Sequence, residues 1–181
     1  MRPDIANADG IDIEILPGTG WAKVAHIHPL VYPPENSITA VWASIQWANA
    51  ERRFVASRNG EAFAHVGLYF RDGLRDSEPV QIVGIGSVMT HPAYQKRGYA
   101  KRLLYLAHEA ARAKRMDFAL LVCETNKIPF YQRQGWQLFR GRTVCRQRGT
   151  DVDWTLSPVM VRDVCRSAPD GGTGDLRGLP W

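Results

Sequence analysis

What this 181-residue chain lacks narrows its class before any motif is considered. No run of about 18 apolar residues occurs, so no membrane-spanning helix is expected. The opening "MRPDIANADGID" contains no apolar stretch of the signal-peptide kind. Cysteine is scarce: Cys123, Cys145 and Cys165 form an odd set without CxxC spacing. That fits free thiols in a reducing cytoplasm better than a disulfide scaffold or a zinc site. Neither GxxxxGK[ST] nor GxGxxG is present, which removes the nucleotide P-loop and the dinucleotide fingerprint. Internal repeats and low-complexity linkers are absent as well. A chain that is 45% hydrophobic, with six Trp and six Phe, is not disordered by composition. One domain with a true core, spanning residues 1–181, is expected, and no bound metal.

What is present begins with charge. The formal net charge is +5. Basic residues gather at 95–102, 112–115 and 133–148, which suits an anionic partner: nucleic acid, a phosphorylated cofactor, or only solvent on a basic face. "IDIEIL" (11–16) alternates as a first strand and is closed by "PGTG". Residues 21–30 follow a helical pattern. "SITAVWASIQWANA" opens on Ser37 as N-cap and sets Ile38, Val41, Trp42 and Ile45 on one helical face. Two strands, "RRFVAS" and "AFAHVGLYF", flank Asn59-Gly60, a strong hairpin signal. A polar loop, "RDGLRDSEP", then precedes the strand "VQIVGIGSVMT". The helix that follows, 99–115, puts Leu103, Leu104, Ala107 and Ala111 inward. "FALLVCET" reads as a buried strand, "PFYQRQ" as a short helix stopped by Gly135, and 136–146 and 154–162 as two further strands. Residues 166–181 form a Gly/Pro-rich extension. The order predicts a mixed α/β sheet flanked by helices.

The joint "HPAYQKRGYAKRLL" concentrates Gln95, Lys96, Arg97 and Gly98 between a strand and a helix. A helix N-terminus has unpartnered N–H groups and a positive dipole end, and a glycine there admits close approach. The combination predicts a phosphate site. Gln95-Lys96-Arg97-Gly98-Tyr99-Ala100 also matches [Q/R]-x-x-G-x-[G/A] in a strand–turn–helix setting, and so resembles the acetyl-CoA signature of the GNAT N-acetyltransferases. "IGSVMTHPAYQ" resembles that family's fourth strand and "FALLVCETNKIPFYQRQGW" its fifth strand and following helix. The likeness covers residues 80–137. It implies an α/β, single-domain GNAT fold with a mixed, mostly antiparallel sheet whose fourth and fifth strands splay apart. It also implies acetyl-CoA as cosubstrate, its pyrophosphate on the N–H groups of 95–100, its pantetheine arm along the main chain of Val88, Met89 and Thr90, and Asn126 nearby.

The same resemblance implies direct transfer of acetyl to an amine, with a strand N–H near Val88 and Met89 on the oxyanion. Tyr131 stands where the family's general acid stands; a Tyr packed between helix and sheet is the alternative. The family's fourth-strand Glu is Gly86 here. His91, His65 and Glu124 are candidate bases, and Cys123 a candidate nucleophile, none of them assigned.

For the acceptor, "GDLRGLPW" resembles the C-termini of aminoglycoside 2′-N-acetyltransferases. That implies Asp175, Arg177 and the carboxylate of Trp181 in the acceptor site, with Glu35 or Asn36 against the sugar. Trp21, Trp42 and Trp47 offer flat faces for sugar rings, helix packing being the alternative, especially for Trp42. The family's Asp near the end is Leu179. With Gly86, this removes negative charge and points to an aminosugar with fewer amines, such as kasugamycin. The expected partner is a small-molecule amine, with no nucleic acid and no membrane, and a homodimer through an exposed aromatic face or edge strand stays open. A protein N-terminus, a lysine or a polyamine would read the same from the cofactor motif. From other classes, a basic nucleic-acid-binding module and a regulatory CoA binder also remain.

Overall fold

The computed structural model describes residues 10–181, except the side chains of Ser37, Ile38 and Thr39. The opening nine residues, and with them the leader expectation, lie outside the described residues, as do the capping role of Ser37 and the inward placing of Ile38. The strands are β1 (Ile11–Pro17), β2 (Arg52–Arg58), β3 (Glu61–Arg75), β4 (Glu78–Thr90), β5 (Phe118–Val122), β6 (Gln137–Leu138), β7 (Arg142–Gln147), β8 (Thr150–Asp153), β9 (Val159–Asp163) and β10 (Thr173–Asp175). The helices are α1 (His28–Val31), α2 (Ser37–Trp42), α3 (Tyr99–Ala113) and α4 (Ile128–Gln132).

All ten strands join one sheet in the order β6-β9-β5-β4-β3-β10-β7-β8, with β2 on the first part of β3 and β1 outside it. Only β4–β5 and β10–β7 are parallel. The sheet is therefore mixed and mostly antiparallel. β3 is its spine: Arg52–Arg58 pair with its first half, and its last residues pair with β10. Residues 62–69 of β3 are all buried, because α3 covers one face of the sheet while the N-terminal turns and the C-terminal segment cover the other. Leu103, Leu104, Ala107 and Ala111 are the buried residues of α3, at the helical spacing expected.

Turn chemistry explains both a success and a miss. Asn59 and Gly60 have φ of 51° and 81°, so the β2–β3 hairpin is of the primed kind that their sequence predicts. Residues 71–79, expected as a loop, instead continue both strands and reverse at Asp76-Ser77, with φ of 47° and 73°. Asp and Ser adopt this conformation less readily than Gly, which hid the turn. The two strands expected over 136–146 and 154–162 divide into four, β6 to β9, with a further hairpin at Arg148-Gly149, φ 50° and 83°.

Two predicted helices shrink. Residues 18–27 wind mainly as 3-10 turns before α1. α2 stops at Trp42, where the carbonyl of Val41 accepts both the N–H (3.2 Å) and the hydroxyl (2.8 Å) of Ser44. Such local bonds compete with helix continuation.

The terminal extension is not loose. It contributes β10 between β3 and β7, and it ends with Leu176, Pro180 and Trp181 buried. The Trp181 indole donates to the Leu120 carbonyl at 3.1 Å and stacks on Tyr69 at 5.8 Å. A methyl group on Gly84 would lie 2.1 Å from that ring. Glycine at 84 is thus required by a neighbour, and not by its own backbone angles. Gly84→Ala is expected to cost about 1–3 kcal/mol by overpacking. In chemical denaturation the loss should be non-additive with Trp181→Ala, since the second change removes the clash.

Candidate active site

β4 and β5 pair over three residues only, Ile82–Gly84 against Phe118–Leu120. β4 runs on to Thr90, so its β5-facing edge has no strand partner past Gly84. The register with β3 also breaks between His65 and Gly67, where Ser87 takes a φ of 47°. Such a bulge bends a strand and re-aims its groups. A cleft of about 1520 Å³ opens at this fork, running from the start of α3 to a group of aromatic side chains.

At the α3 end, Lys96 and Gly98 have φ of 61° and 83°. Nothing stands within 4 Å of where a Cβ on Gly98 would be. This glycine serves the left-handed turn and leaves open space over the first N–H groups of a 15-residue helix. The Gln95 amide donates to the Thr90 carbonyl at 3.1 Å and ties the turn to the strand. Lys96, Tyr99, Ala100 and Lys101 line the same end. A diphosphate fits this cradle: it meets backbone donors, a helix dipole and two ammonium groups.

Of the residues expected around the cosubstrate, Val88, Thr90, Gln95, Lys96, Gly98, Tyr99, Ala100 and Asn126 line the cleft. Met89 and Arg97 do not. Met89 is fully buried and its main chain pairs with His65; Arg97 lies over the Tyr94 ring at 5.7 Å. Strand alternation explains the first, because residues 88 and 90 face the gap while 89 faces β3. The Val88 carbonyl accepts from the Tyr32 hydroxyl at 3.2 Å.

Tyr131, buried on α4, also lines the cleft. Burial pushes its pKa well above the usual tyrosine value, with Tyr32 and Cys123 adding to the effect. It therefore keeps its proton across the neutral range. Tyr32 is raised too, by burial and then by Glu124. Burial lifts the Cys123 thiol to about 11, so it is a poor nucleophile. His65 is wholly buried and does not line the cleft. Its Nε2 faces Arg53 Nη1 at 3.3 Å and its Nδ1 faces the Ser87 carbonyl at 2.7 Å. Arginine only donates, so Nε2 accepts and Nδ1–H donates to the bulge. Burial depresses His65 to about 4, which keeps the ring neutral. His91 accepts the Ala93 N–H through Nδ1 and stands outside the cleft lining. Glu124 lines it.

Against known proteins, residues 21–136 match the model of the acetyltransferase (GNAT) family. The chain belongs to the GNAT acetyltransferases. A GNAT family N-acetyltransferase from Escherichia coli in complex with CoA has the same fold at a TM-score of 0.63, with 16% identity over 95% of this chain and 92% of that one. A GNAT acetyltransferase from Brucella melitensis in complex with acetyl-CoA gives 0.61, with 15% identity over 91% and 94%. The ribosomal-protein-S18-alanine N-acetyltransferase from Escherichia coli gives 0.57, with 17% identity over 87% and 96%. No curated protein matches the sequence. The enzyme is an acetyl-CoA-dependent acetyltransferase. Among the described residues no group of three or more metal-ligating side chains gathers, and no helix is long and apolar enough to cross a membrane.

Opposite the cradle, the acetyltransferase carries an aromatic chamber. Trp21, His28, Tyr32, Trp42 and Trp47 follow one another with centroids 5.2 to 6.1 Å apart, edge to face except for the tilted His28–Tyr32 pair. All five line the cleft, Trp42 included, so its expected role in helix packing is replaced by a place in the wall. Asn36 and Trp181 also line it. Glu35 and Asp175, expected beside the acceptor, do not. Glu35 is exposed in the turn before α2. Asp175 is held on β10, beyond β3 from the fork, where its carboxylate accepts the Arg177 N–H at 2.7 Å. Sequence reasoning missed Arg53, Tyr32 and Tyr69 in the lining. The alternate glycines Gly84 and Gly86 were the available sign that something packs on this strand.

Gly98→Ala tests the cradle. Its stability cost should stay near 1 kcal/mol, from φ alone, while the melting shift caused by acetyl-CoA should shrink by more than that strain accounts for. Among the thiols, exposed Cys165 should alkylate fast at pH 8 and buried Cys123 and Cys145, both raised to about 11, slowly. Intact mass would show one early adduct.

Proposed function

We propose that this acetyltransferase acetylates the amine of a small aminosugar carrying few amines, of the kasugamycin type, by direct transfer in a ternary complex. One observation carries the reading: a single cleft joins the diphosphate cradle to an aromatic chamber, with the protonated Tyr131 in its lining. Aromatic faces suit the C–H surfaces of sugar rings. The scarcity of carboxylates supports an acceptor of low positive charge. Among the described residues Glu124 is the one acidic side chain in the lining, against Arg53, Lys96, Lys101, Lys127 and Arg133. A strongly polycationic antibiotic would meet too little negative charge there. This same cationic lining disfavours spermidine as acceptor.

Bound acetyl-CoA supplies a thioester carbonyl carbon for a neutral amine to attack. In our reading the β4 edge at Val88 and Thr90, which has no strand partner, receives the pantetheine arm, each carbonyl keeping a second lone pair beside its bond from Tyr32 or Gln95, and the bulge at Ser87 aims the following N–H at the developing oxyanion. Gln95, Lys96, Gly98, Tyr99 and Ala100 hold the phosphates, with Asn126 beside them. Tyr131 gives its proton to the departing thiolate and is reprotonated from solvent.

The resemblance assigns Trp181 to the acceptor site. In support, Trp181 lines the cleft, and its main-chain carbonyl carbon lies 3.0 Å from the Cβ position of Gly86, the place of the family's glutamate. The proton that the nitrogen loses on bonding to carbon passes to solvent. Asn36 contributes from the chamber wall, and the segment 166–181 thereby belongs to the acceptor site. The supply of acetyl-CoA fits a cytoplasmic setting.

Thiol release from acetyl-CoA should be read with kasugamycin, 2′-amino aminoglycosides, spermidine and short peptides. Kasugamycin turnover should exceed the others. Tyr131→Phe should lower kcat by about 10²–10⁴, the usual worth of a positioned acid. Trp181→Phe should reduce kcat while leaving the acetyl-CoA melting shift intact. Turnover with peptides alone would overturn the aminosugar reading and keep the enzyme class.

A further inference from the structure

Arg53, on β2, lines the chamber with only 4% of its surface exposed. It is the one buried basic chain-end among the described residues apart from the neutral His65. All its partners are uncharged. Nε–H donates to the Gly18 carbonyl at 2.9 Å, Nη1 donates to His65 at 3.3 Å, and the guanidinium lies 5.0 Å over the Trp21 ring. No carboxylate of the described residues pairs with it, although the exposed Arg142, Arg146 and Arg166 each have one.

This arrangement is costly without a counter-ion. Arginine does not deprotonate in proteins, and a buried charge needs a partner of opposite sign. His65 does not help, because its bonds require the neutral ring. Burial itself works against the charge on Arg53. Two bonds use two of five N–H donors. Nη2 keeps both of its hydrogens and Nη1 keeps one, and Arg53 and Trp21 both line the cleft. That open edge of a planar fork matches the two oxygens of a carboxylate.

We propose that Arg53 is an anion subsite, and that the acceptor carries a carboxylate in addition to the amine it offers for acetylation. The inference rests on the reading of the chamber as the acceptor site and narrows it from an amine of low charge to a zwitterion. The amine faces the centre of the cleft, and the carboxylate lies on Arg53 against the Trp21 wall. Trp21, Gly18 and His65 hold the guanidinium in place before the ligand arrives, so little side-chain order is lost on binding.

Matched pairs decide the point: glucosaminuronic acid against glucosamine, and phenylalanine against phenylalaninamide. Each is titrated into the enzyme loaded with CoA, where no turnover occurs, and followed by calorimetry. The acid of each pair should bind about tenfold tighter or more, on the scale of a charge-assisted bidentate bond. In Arg53→Met the ratio should fall to about one, with Arg53→Lys between. The wild-type ratio stands by itself if the variants fold poorly. Equal affinity within both pairs, or no millimolar binding of either acid, overturns the subsite. The aminosugar reading is judged separately, by turnover of the neutral and acidic sugars with acetyl-CoA. A preference for acids confined to phenylalanine supports the subsite and counts against the sugar.

Discussion

Where two parallel strands stop pairing, each loses hydrogen-bond partners along its inner edge, and the cleft of this acetyltransferase depends on how that loss is met. On β5 the Leu120 carbonyl is taken by the Trp181 indole. On β4 the Val88 carbonyl is taken by the Tyr32 hydroxyl and that of Thr90 by Gln95. Side chains replace main chain at the fork, so the strands can part without leaving these carbonyls buried and unpaired, which would cost about 1–3 kcal/mol each. The ring that caps the fork needs room, and Gly84 and Gly86 provide it. Tyr69 supports the ring from β3, so the fork, the terminal segment and the sheet spine form one packed unit.

Charge is distributed along the cleft in two different ways. At the α3 end the positive groups are exposed, on Lys96 and Lys101 beside a helix N-terminus, where water screens them until phosphates arrive. At the other end Arg53 is enclosed by neutral groups. The first arrangement attracts an anion from a distance and tolerates variation in it. The second discriminates, because an enclosed cation is sensitive to whether one particular group is present. The neutral His65 between Arg53 and the Ser87 bulge links the acceptor end to the strand edge that faces the thioester.

The cofactor half of the site was legible in the sequence because its chemistry is local. Gln95 to Ala100 are contiguous, and a strand, a turn and a helix in that order dictate the geometry. The α3 face and the Asn59-Gly60 turn were legible for the same reason. The acceptor half was legible only in part: Trp21, Trp42, Trp47, Asn36 and Trp181 were named for it and line the cleft, but Arg53, Tyr69 and Tyr32 reach it only through tertiary packing, and β10 inserts between β3 and β7 in a way that no periodicity announces. Asp175 illustrates the cost: its segment resembled an acceptor-binding one, yet pairing on β10 turns its carboxylate to its own loop. The short primed turn at Asp76-Ser77 was hidden because it lacks glycine, and two strands were read as a loop in consequence.

The walls of the cleft also have an optical consequence. Four of the enzyme's six tryptophans, Trp21, Trp42, Trp47 and Trp181, line the space that both substrates must fill. Each indole there changes its solvent contact, and Trp21 its distance to a charged guanidinium, when that space is occupied. Most of the indoles of the unlabelled protein therefore stand at its reaction chamber. Arrival of either substrate can be followed in real time from the protein's own fluorescence, without attaching a dye.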